Sequence, residues 1–389
     1  MDIDWEAIRK EQFPALEKAI YLKAAGGSPI SKTAFQAGMK YLNEMHNIGD
    51  LFWDIYLKEV DITRALVADY LCCHEDDIAF LINTSSCVNC IARLIEPGLI
   101  LYPEGEFPAS ILPFKALGFN CEKINAQNEN VYSIMDINKK ISLNTKYLIH
   151  SHVQYLTGFR QNLDELGLIC QENKIVNIIN ATQSFGAFPI DIKKQKIDML
   201  VASGLKWACC GYGIGILYIN NSFFKDSQLP FAGWLSVEDA FLMNNDNMKF
   251  KKKTKSLDGL GGTPNFFGIF SLKASLILIK EIGSGDIQRG IACINNRILE
   301  LTSYFVEELK KLNLKIISPL DSKYRSGIIT IENENARNIF NKLQANNIFI
   351  SFRNYPNLSM KTLLRFSFNY YNNFEDIKKC IKFLKGILK

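Results

Sequence analysis

The feature that most restricts the fold of this chain is the stretch from residue 197 to residue 219, with the sequence IDMLVASGLKWACCGYGIGILYI. The apolar run from Ile197 to Ala202 predicts a buried β-strand. A serine–glycine pair then turns the chain, and three glycines precede a second apolar run from Ile216 to Ile219. The pattern therefore predicts two core strands joined by a glycine-rich loop, and Lys206 lies in that loop.

Lys206 is the residue of this loop that could take part in catalysis. A lysine at the end of a buried strand, between small and apolar neighbours, is partly removed from water, which disfavours the ammonium form and lowers the pKa. A neutral amine is the nucleophile that a Schiff-base lysine requires. The alternative is an ordinary solvated lysine at a strand end, and these residues alone leave both interpretations open.

The length and pattern of the chain indicate a two-domain α/β protein. Its 389 residues are enough for a large core, and 48% hydrophobic residues with mixed charges are typical of a globular protein. Strand-like runs alternate with segments of helical spacing, such as Leu163–Asn173 before a strand that ends at Asn180. This alternation predicts parallel βαβ units, which bind ligands at the carboxyl ends of their strands.

The composition also indicates the compartment of the protein and the classes of partner that it does not bind. The N-terminal segment MDIDWEAIRKEQFP is charged and has no apolar centre, so we expect no secretion signal. No apolar run reaches the ~18 residues of a membrane span. Ten cysteines without secretory features predict free thiols in the cytoplasm. The basic run Lys249–Lys255 could attract phosphate or nucleic acid, but a solvated loop is the commoner outcome, and we expect neither a nucleic-acid nor a membrane partner.

Two motifs around the lysine resemble one enzyme family. They are Asn180-Ala-Thr-Gln-Ser-Phe-Gly186 and, downstream, Ser203-Gly-Leu-Lys-Trp207. Their spacing and content resemble the class V aminotransferases, which are pyridoxal-phosphate enzymes that include cysteine desulfurases, kynureninases and isopenicillin N epimerase-like proteins. The resemblance spans nearly the whole chain. It implies the PLP-dependent transferase fold type I: a large domain (21–284) with a mostly parallel seven-stranded sheet between helices, and a smaller α+β domain (1–20 and 285–389).

The resemblance implies pyridoxal 5′-phosphate as the cofactor, carried by Lys206 as a Schiff base. Phe107, from the segment Glu104-Gly-Glu-Phe-Pro108, would stack on one face of the pyridine ring, and Thr182 would flank the other. The resemblance also implies contacts to the phosphate from Ser85, Ser86 and Cys87, largely through the main chain, and from Ser203. Asn180 would contact the pyridine nitrogen, and Gln183 the phenolic oxygen. In a homodimer, Thr263 of the partner subunit would also contact the phosphate.

The segment Asn83-Thr-Ser-Ser-Cys-Val-Asn89 also predicts an anion site on its own residues. Serine and threonine favour the first positions of a helix, whose free N–H groups and positive potential suit a phosphate. A simply capped helix is the alternative. Cys87 and Cys90 form a CxxC pair, but a thioredoxin-like or zinc site is disfavoured because no second CxxC exists and the pair overlaps the phosphate segment. A helix N-terminus would still favour a thiolate, so we expect Cys87 to be reactive.

The resemblance further implies an amino acid as the small-molecule substrate. Gly27, Tyr155 and Arg365 would contact it, and Arg365 would hold its carboxylate as a bidentate fork. Lys206 would then act as general base at Cα, which gives transaminase or Cα/Cβ lyase chemistry. His152 is a second candidate base by its ordinary pKa, but its place at a strand end away from the lysine favours a structural role.

Three departures from the family pattern limit the reaction. Asn180 stands where the family has an aspartate that keeps the pyridine nitrogen protonated, and Leu205 stands where many relatives have a histidine that reaches the phosphate. No cysteine lies between Ala345 and Arg365, where desulfurases carry the mobile cysteine that takes up sulfur, so we expect persulfide-type desulfuration to be disfavoured. An isopenicillin N epimerase-like racemase, and a protein that binds the cofactor or a metabolite without turnover, remain alternatives.

Overall fold

The computed structural model describes residues 3–126, 131–224, 229–355 and 361–388. The strands in these residues are β1 (Ile20–Tyr21), β2 (Ile78–Leu81), β3 (Leu99–Pro103), β4 (Asn120–Ile124), β5 (Thr145–Ser151), β6 (Val176–Asn180), β7 (Met199–Ser203), β8 (Gly215–Ile219), β9 (Lys315–Ile316), β10 (Ile328–Glu332), β11 (Ile348–Phe349), β12 (Ser351–Tyr355) and β13 (Lys361–Ser367). The α-helices are α1 (Trp5–Gln12), α2 (Lys32–Ile48), α3 (Trp53–Leu71), α4 (Thr84–Leu94), α5 (Pro108–Ala116), α6 (Ile134–Lys140), α7 (Leu163–Glu172), α8 (Phe266–Ile282), α9 (Ile287–Lys310), α10 (Ala336–Ala345) and α11 (Phe374–Leu388).

Seven strands form a central sheet in the order β2-β8-β7-β6-β5-β3-β4. Strand β8 runs antiparallel to both of its neighbours, and the other neighbouring pairs are parallel. Parallel neighbours need crossover connections, and helices such as α5 and α7 supply most of them, whereas β6 and β7 are joined by turns. The predicted mostly parallel, seven-stranded sheet is therefore confirmed.

The central sheet is buried on both faces, which explains the continuous apolar runs in its sequence. Successive side chains of a strand point to opposite faces. Along β7, Leu200 and Ala202 pack into one hydrophobic layer, and Met199 and Val201 pack into the other. This burial fixes the register of β7 and therefore the place where the strand ends.

A second sheet of four antiparallel strands has the order β12-β13-β10-β9. It shares a separate hydrophobic cluster with helices α9, α10 and α11, including Phe305, Leu343 and Leu384. The short strands β1 and β11 pair in parallel, with Tyr21 opposite Phe349. The division into a large domain of residues 21–284 and a small domain of residues 1–20 and 285–389 stays a prediction.

Several elements differ from the sequence-based expectation, and each difference has a physical reason. Helix α3 begins at Trp53, whose ring packs edge to face against Phe266, so aromatic packing supports its first turn. Helix α5 was not predicted because Pro113 lies inside it, and an internal proline usually ends a helix. Strand β4 was missed because it lies at the sheet edge, where its residues are mostly solvated.

No helix in the described ranges combines the length and the apolar character that a membrane crossing requires. The basic run is partly neutralised, since Lys253 and Lys255 form ion pairs with Asp76 at 2.6 and 2.5 Å.

Candidate active site

A cavity of about 150 Å³ lies at the carboxyl ends of three adjacent strands of the central sheet. Ser151, Asn180 and Ser203 are the last residues of β5, β6 and β7, and all three line it. Parallel strands present their carboxyl ends at one edge, which is where ligands bind in such sheets. The other lining residues are Asn83, Thr84, Ser85, Phe107, Ala109, Tyr155, Thr182, Gln183, Leu205 and Lys206.

Most of the residues predicted for the site meet at this cavity. Those that line it are Ser85, Phe107, Tyr155, Asn180, Thr182, Gln183, Ser203 and Lys206. Gly27 lies just behind the wall, because a Cβ built on it would be 3.2 Å from the side chain of Leu205. Ser86, Cys87, Arg365 and Thr263 are outside the lining, for the different reasons given below.

Lys206 follows β7 in a turn and is mostly buried. Within the described part of the chain, its Nζ has neither a hydrogen bond nor an ion pair. Burial, and then the nearby charges of Arg365 and Arg353, lower the pKa of Lys206 to about 7. The lowered pKa favours the neutral amine that a nucleophile or base requires. A fully solvated lysine does not fit this partly buried side chain.

Tight packing holds the lysine loop against the segment that follows β6. Gly186 has a φ of 93°, and a Cβ there would lie 2.5 Å from the backbone nitrogen of Ala208. The indole Nε1 of Trp207 donates to Oε1 of Gln183 at 2.9 Å. Only glycine allows this approach, so the two motifs recognised in the sequence form one structural unit.

The N-terminus of helix α4 faces the cavity, but its donors differ from those predicted. Asn83 is the capping residue: its Oδ1 accepts from Ser86 N–H at 2.9 Å, and its carbonyl accepts from Cys87 N–H at 3.2 Å. The predicted main-chain contacts from Ser86 and Cys87 are therefore wrong, because both N–H groups are already used. In the described residues, the N–H groups of Thr84 and Ser85 have no acceptor and remain open to an anion.

Cys87 is also not a reactive thiol. Its side chain is completely buried in the apolar layer beneath α4. Burial raises its pKa well above the ordinary value, and the pKa of Cys90 rises to about 12 for the same reason. The loss of solvation outweighs the field of the helix N-terminus, so the expected thiolate is absent.

Two aromatic rings form part of the cavity wall. Phe107 is 46% exposed, so it is not a core residue. Its ring meets that of Tyr155 edge to face, with 5.2 Å between centroids. A partly exposed ring at the edge of a polar cavity is a surface on which a planar ligand can stack.

Two guanidinium groups lie on one face of the second sheet, beside the cavity. Arg365 is opposite Ser351 in the strand pairing, and Arg353 follows two residues later on the same face. Nη1 of Arg365 donates to the carbonyl of Tyr155 at 2.5 Å, and Nη2 donates to Ser351 Oγ at 3.3 Å. Its Nε has no hydrogen-bond partner among the residues that the structure describes, although Arg365 is buried.

This arginine pair lacks a compensating carboxylate among the described residues. Burial, followed by the charge of Arg353, lowers the pKa of Arg365 to about 9. Two close cations out of water are costly unless an anion joins them. We had not predicted Arg353, although its position two residues after Ser351 on a strand would have placed it on the same face.

Asn180 and Gln183 are both fixed by hydrogen bonds but retain an unused amide proton. Asn180 Nδ2 donates to Ser110 Oγ at 2.8 Å, and its Oδ1 accepts from Thr182 N–H at 2.9 Å. Gln183 Nε2 donates to the carbonyl of Ala25 at 3.0 Å. An amide nitrogen has two protons, so each can still donate to a ligand.

His152 and Thr263 do not reach the cavity of their own subunit. His152 is buried and its ring contacts Phe188 at 6.2 Å between centroids, and burial lowers its pKa to about 3. It packs in the core, away from the cavity, so it cannot act there as a base. Thr263 is exposed, so its contribution to a partner subunit stays a prediction.

Sequence comparison identifies a family over most of the chain. Residues 20–380 match the family described as aminotransferase class-V. A probable cysteine desulfurase of Pyrococcus abyssi is 25% identical, with 99% of this chain and 98% of that protein covered. A kynureninase of Bacillus mycoides is 23% identical, with 98% and 91% covered. Because nearly full-length relatives are named cysteine desulfurases, the missing cysteine in residues 345–365 is no ground for disfavouring that reaction, and our expectation on this point was wrong.

Structural comparison identifies the fold. The apo cysteine desulfurase from Thermococcus onnurineus NA1 superposes with a TM-score of 0.87 at 24% identity, with 100% of this chain and 98% of that chain covered. The fold is therefore PLP fold type I. Together with the match over residues 20–380, these findings place the chain in the aminotransferase class-V family of pyridoxal-phosphate-dependent enzymes.

Proposed function

We propose that the protein binds an α-amino acid in the cavity and removes the Cα proton with Lys206, with pyridoxal 5′-phosphate as cofactor. The observation that carries this proposal is the Lys206 amine, which is buried, lacks a partner in the described residues and has a pKa of about 7. A base works best when its pKa lies near the working pH.

The residues present fit the cofactor. The free N–H groups of Thr84 and Ser85 would hold its phosphate at the start of α4, with Ser203 nearby. Phe107 would cover one face of the ring and Thr182 the other. When bound, the cofactor supplies an electron sink for the Cα carbanion. Leu205 offers no hydrogen bond, so phosphate binding would depend on the helix N-terminus.

The arginine pair would bind the substrate. Arg365 has an unused Nε beside two engaged nitrogens, and a carboxylate at this point would neutralise a buried cation. Arg353 offers a second positive charge on the same face, which fits a substrate with another anionic group at or beyond Cβ.

The relatives' names support a bond at Cβ as the one that breaks, to sulfur in the desulfurases and to carbon in the kynureninases. We favour Cβ–Sγ cleavage of a cysteine-like substrate. None of the cysteines in the described residues lines the cavity, and residues 356–360 contain none. Sulfur would then leave the site directly or pass to a thiol that reaches the cavity. Elimination turns cysteine and water into pyruvate, ammonia and hydrogen sulfide; transfer turns cysteine and a thiol RSH into alanine and RSSH.

We further propose that the enzyme is a cytoplasmic homodimer. Helices α2 and α3 and their connection expose several large apolar side chains, including Phe35, Leu51 and Ile55. A cluster of exposed apolar residues of this kind marks a protein interface. In such a dimer, Thr263 of the partner subunit would contact the phosphate, as the family resemblance implies. The cysteines of the described residues are unpaired, which fits a reducing compartment.

Binding without turnover is the second candidate, and Asn180 favours it. A neutral amide at the end of β6 stabilises a protonated pyridine less than a carboxylate does, so the electron sink is weaker. An enzyme with a weak sink would bind amino acids and release few products.

Product analysis by mass spectrometry after incubation with amino acids tests the proposal. Cysteine, cystine, kynurenine and a D-amino acid form the panel, and Lys206→Ala is the control. Pyruvate or alanine that depends on Lys206 supports the proposal. Anthranilate assigns the kynureninase reaction, and inverted enantiomer assigns the racemase. A changed visible spectrum without any product assigns the binder.

A further inference from the structure

Glu106 is a carboxylate buried beside the cavity, and the structure gives it no cationic partner within the described residues. Ser151 donates to it from its backbone N–H and from its hydroxyl, each at 2.6 Å. The hydroxyl of Ser110 and the N–H of Phe107 also bond to it. A buried carboxylate without a cation destabilises a fold even when it is hydrogen-bonded. Stability alone therefore does not account for Glu106.

Ser110 connects this carboxylate to Asn180. Nδ2 of Asn180 donates to Ser110 Oγ at 2.8 Å. The Ser110 hydroxyl also favours the ionised form of Glu106. Thr182 fixes the orientation of the amide, because its backbone N–H can only donate and Asn180 Oδ1 accepts it.

The three side chains lie almost entirely out of water. Ser110 is 1% exposed, Asn180 is 5% exposed and Glu106 is 8% exposed. Charges are screened little in such a low-dielectric environment. Ser151, which bonds to Glu106, and Asn180 end β5 and β6 at the cavity wall, so the field of the ionised carboxylate extends to the cavity.

We propose that Glu106 is the remote carboxylate that favours the positively charged form of the bound cofactor from beside the cavity. The inference rests on the cofactor site proposed above. Glu106 touches neither cofactor nor substrate, so it is a positioning residue. It compensates in part for the neutral amide at position 180, because an opposite charge nearby favours a protonated cofactor.

Burial raises the pKa of Glu106 to about 7, so the charge of this carboxylate changes near neutral pH. Tyr155 is the titratable side chain that interacts with Glu106 in the described residues, and its own pKa is raised by burial. The phenol is therefore neutral over the range in which Glu106 titrates.

The test is a spectroscopic pH titration of the purified holoprotein, which needs no turnover. Glu106→Gln removes the charge and keeps the shape. We expect the pH midpoint of the bound chromophore to fall by about one unit, which is the lower end of the shift that one nearby opposite charge causes. Glu104→Gln is the matched control, because Glu104 lies two residues earlier and pairs with Lys123 at the surface. It should leave the midpoint in place.

Two more variants separate an electrostatic from a structural role. Ser110→Ala removes a hydroxyl that favours the ionised form of Glu106, so the midpoint should again fall. Asn180→Asp added to Glu106→Gln places a carboxylate at the cavity, so the midpoint should recover. A coloured protein whose midpoint is the same in wild type, Glu106→Gln and Ser110→Ala overturns this inference but not the proposed function. A colourless wild-type protein that takes up no added cofactor overturns both.

Discussion

Replacing Lys206 by methionine should stabilise the cofactor-free chain, and the gain should depend on pH. The lysine pKa falls from 10.5 to about 7 on folding. Each pKa unit corresponds to roughly 1.4 kcal/mol, so the buried amine destabilises the fold at low pH by at most about 5 kcal/mol. Local relaxation around a buried charge reduces this, and we expect a gain of about 2–3 kcal/mol for the variant.

The sign follows from proton binding. Between pH 7 and pH 10.5, the unfolded chain holds a proton on Lys206 that the folded chain has lost. Wild-type stability therefore rises with pH in this window, by up to roughly 1.4 kcal/mol per unit. The advantage of Lys206→Met should be greatest below pH 7 and should fade as the pH approaches 10.5.

Urea unfolding of the cofactor-free proteins at pH 6, 7.5 and 9 measures this. Lys146→Met is the matched control, since Lys146 is exposed at the edge of β5. A gain for Lys206→Met that is the same at all three pH values, or that Lys146→Met reproduces, would refute the argument that burial sets the state of the amine.

Three further substitutions test other parts of the account. Arg353→Met should raise the KM for substrate by about tenfold with little change in kcat, because it removes a binding charge; an unchanged KM would contradict the substrate site. Phe107→Ala should weaken cofactor affinity by about tenfold, measured by absorbance titration, through loss of ring stacking; unaltered affinity would exclude the stacking role. Asp258→Asn should lower the free energy of unfolding by about 3 kcal/mol, because Arg64 is buried and pairs with Asp258 at 2.5 Å; an unchanged urea midpoint would show that the pair is not stabilising.

The sequence was informative where burial imposes a pattern. The strands that end at Asn180 and near Ser203 are continuous apolar runs because the sheet is covered on both faces, and glycines mark the close approach of the loops. Those two strand ends, with the lysine between small residues, were enough to locate the cavity.

The rest of the site depends on contacts that sequence spacing does not reveal. Glu106 receives its donors from Ser151, which is distant in the chain. Arg353 matters only because it shares a face with Arg365 on the next strand. The error at Cys87 came from one residue: Asn83, not a serine, caps the helix and uses the N–H groups that we had assigned to the phosphate.

The central claim is that one buried amine holds the cofactor, and borohydride reduction followed by peptide mass spectrometry tests it most directly. The account predicts a single phosphopyridoxyl group on the peptide that contains Lys206, and none on the Lys206→Ala protein. A reduced wild-type protein with an unmodified Lys206, or with the group on another lysine, would contradict it.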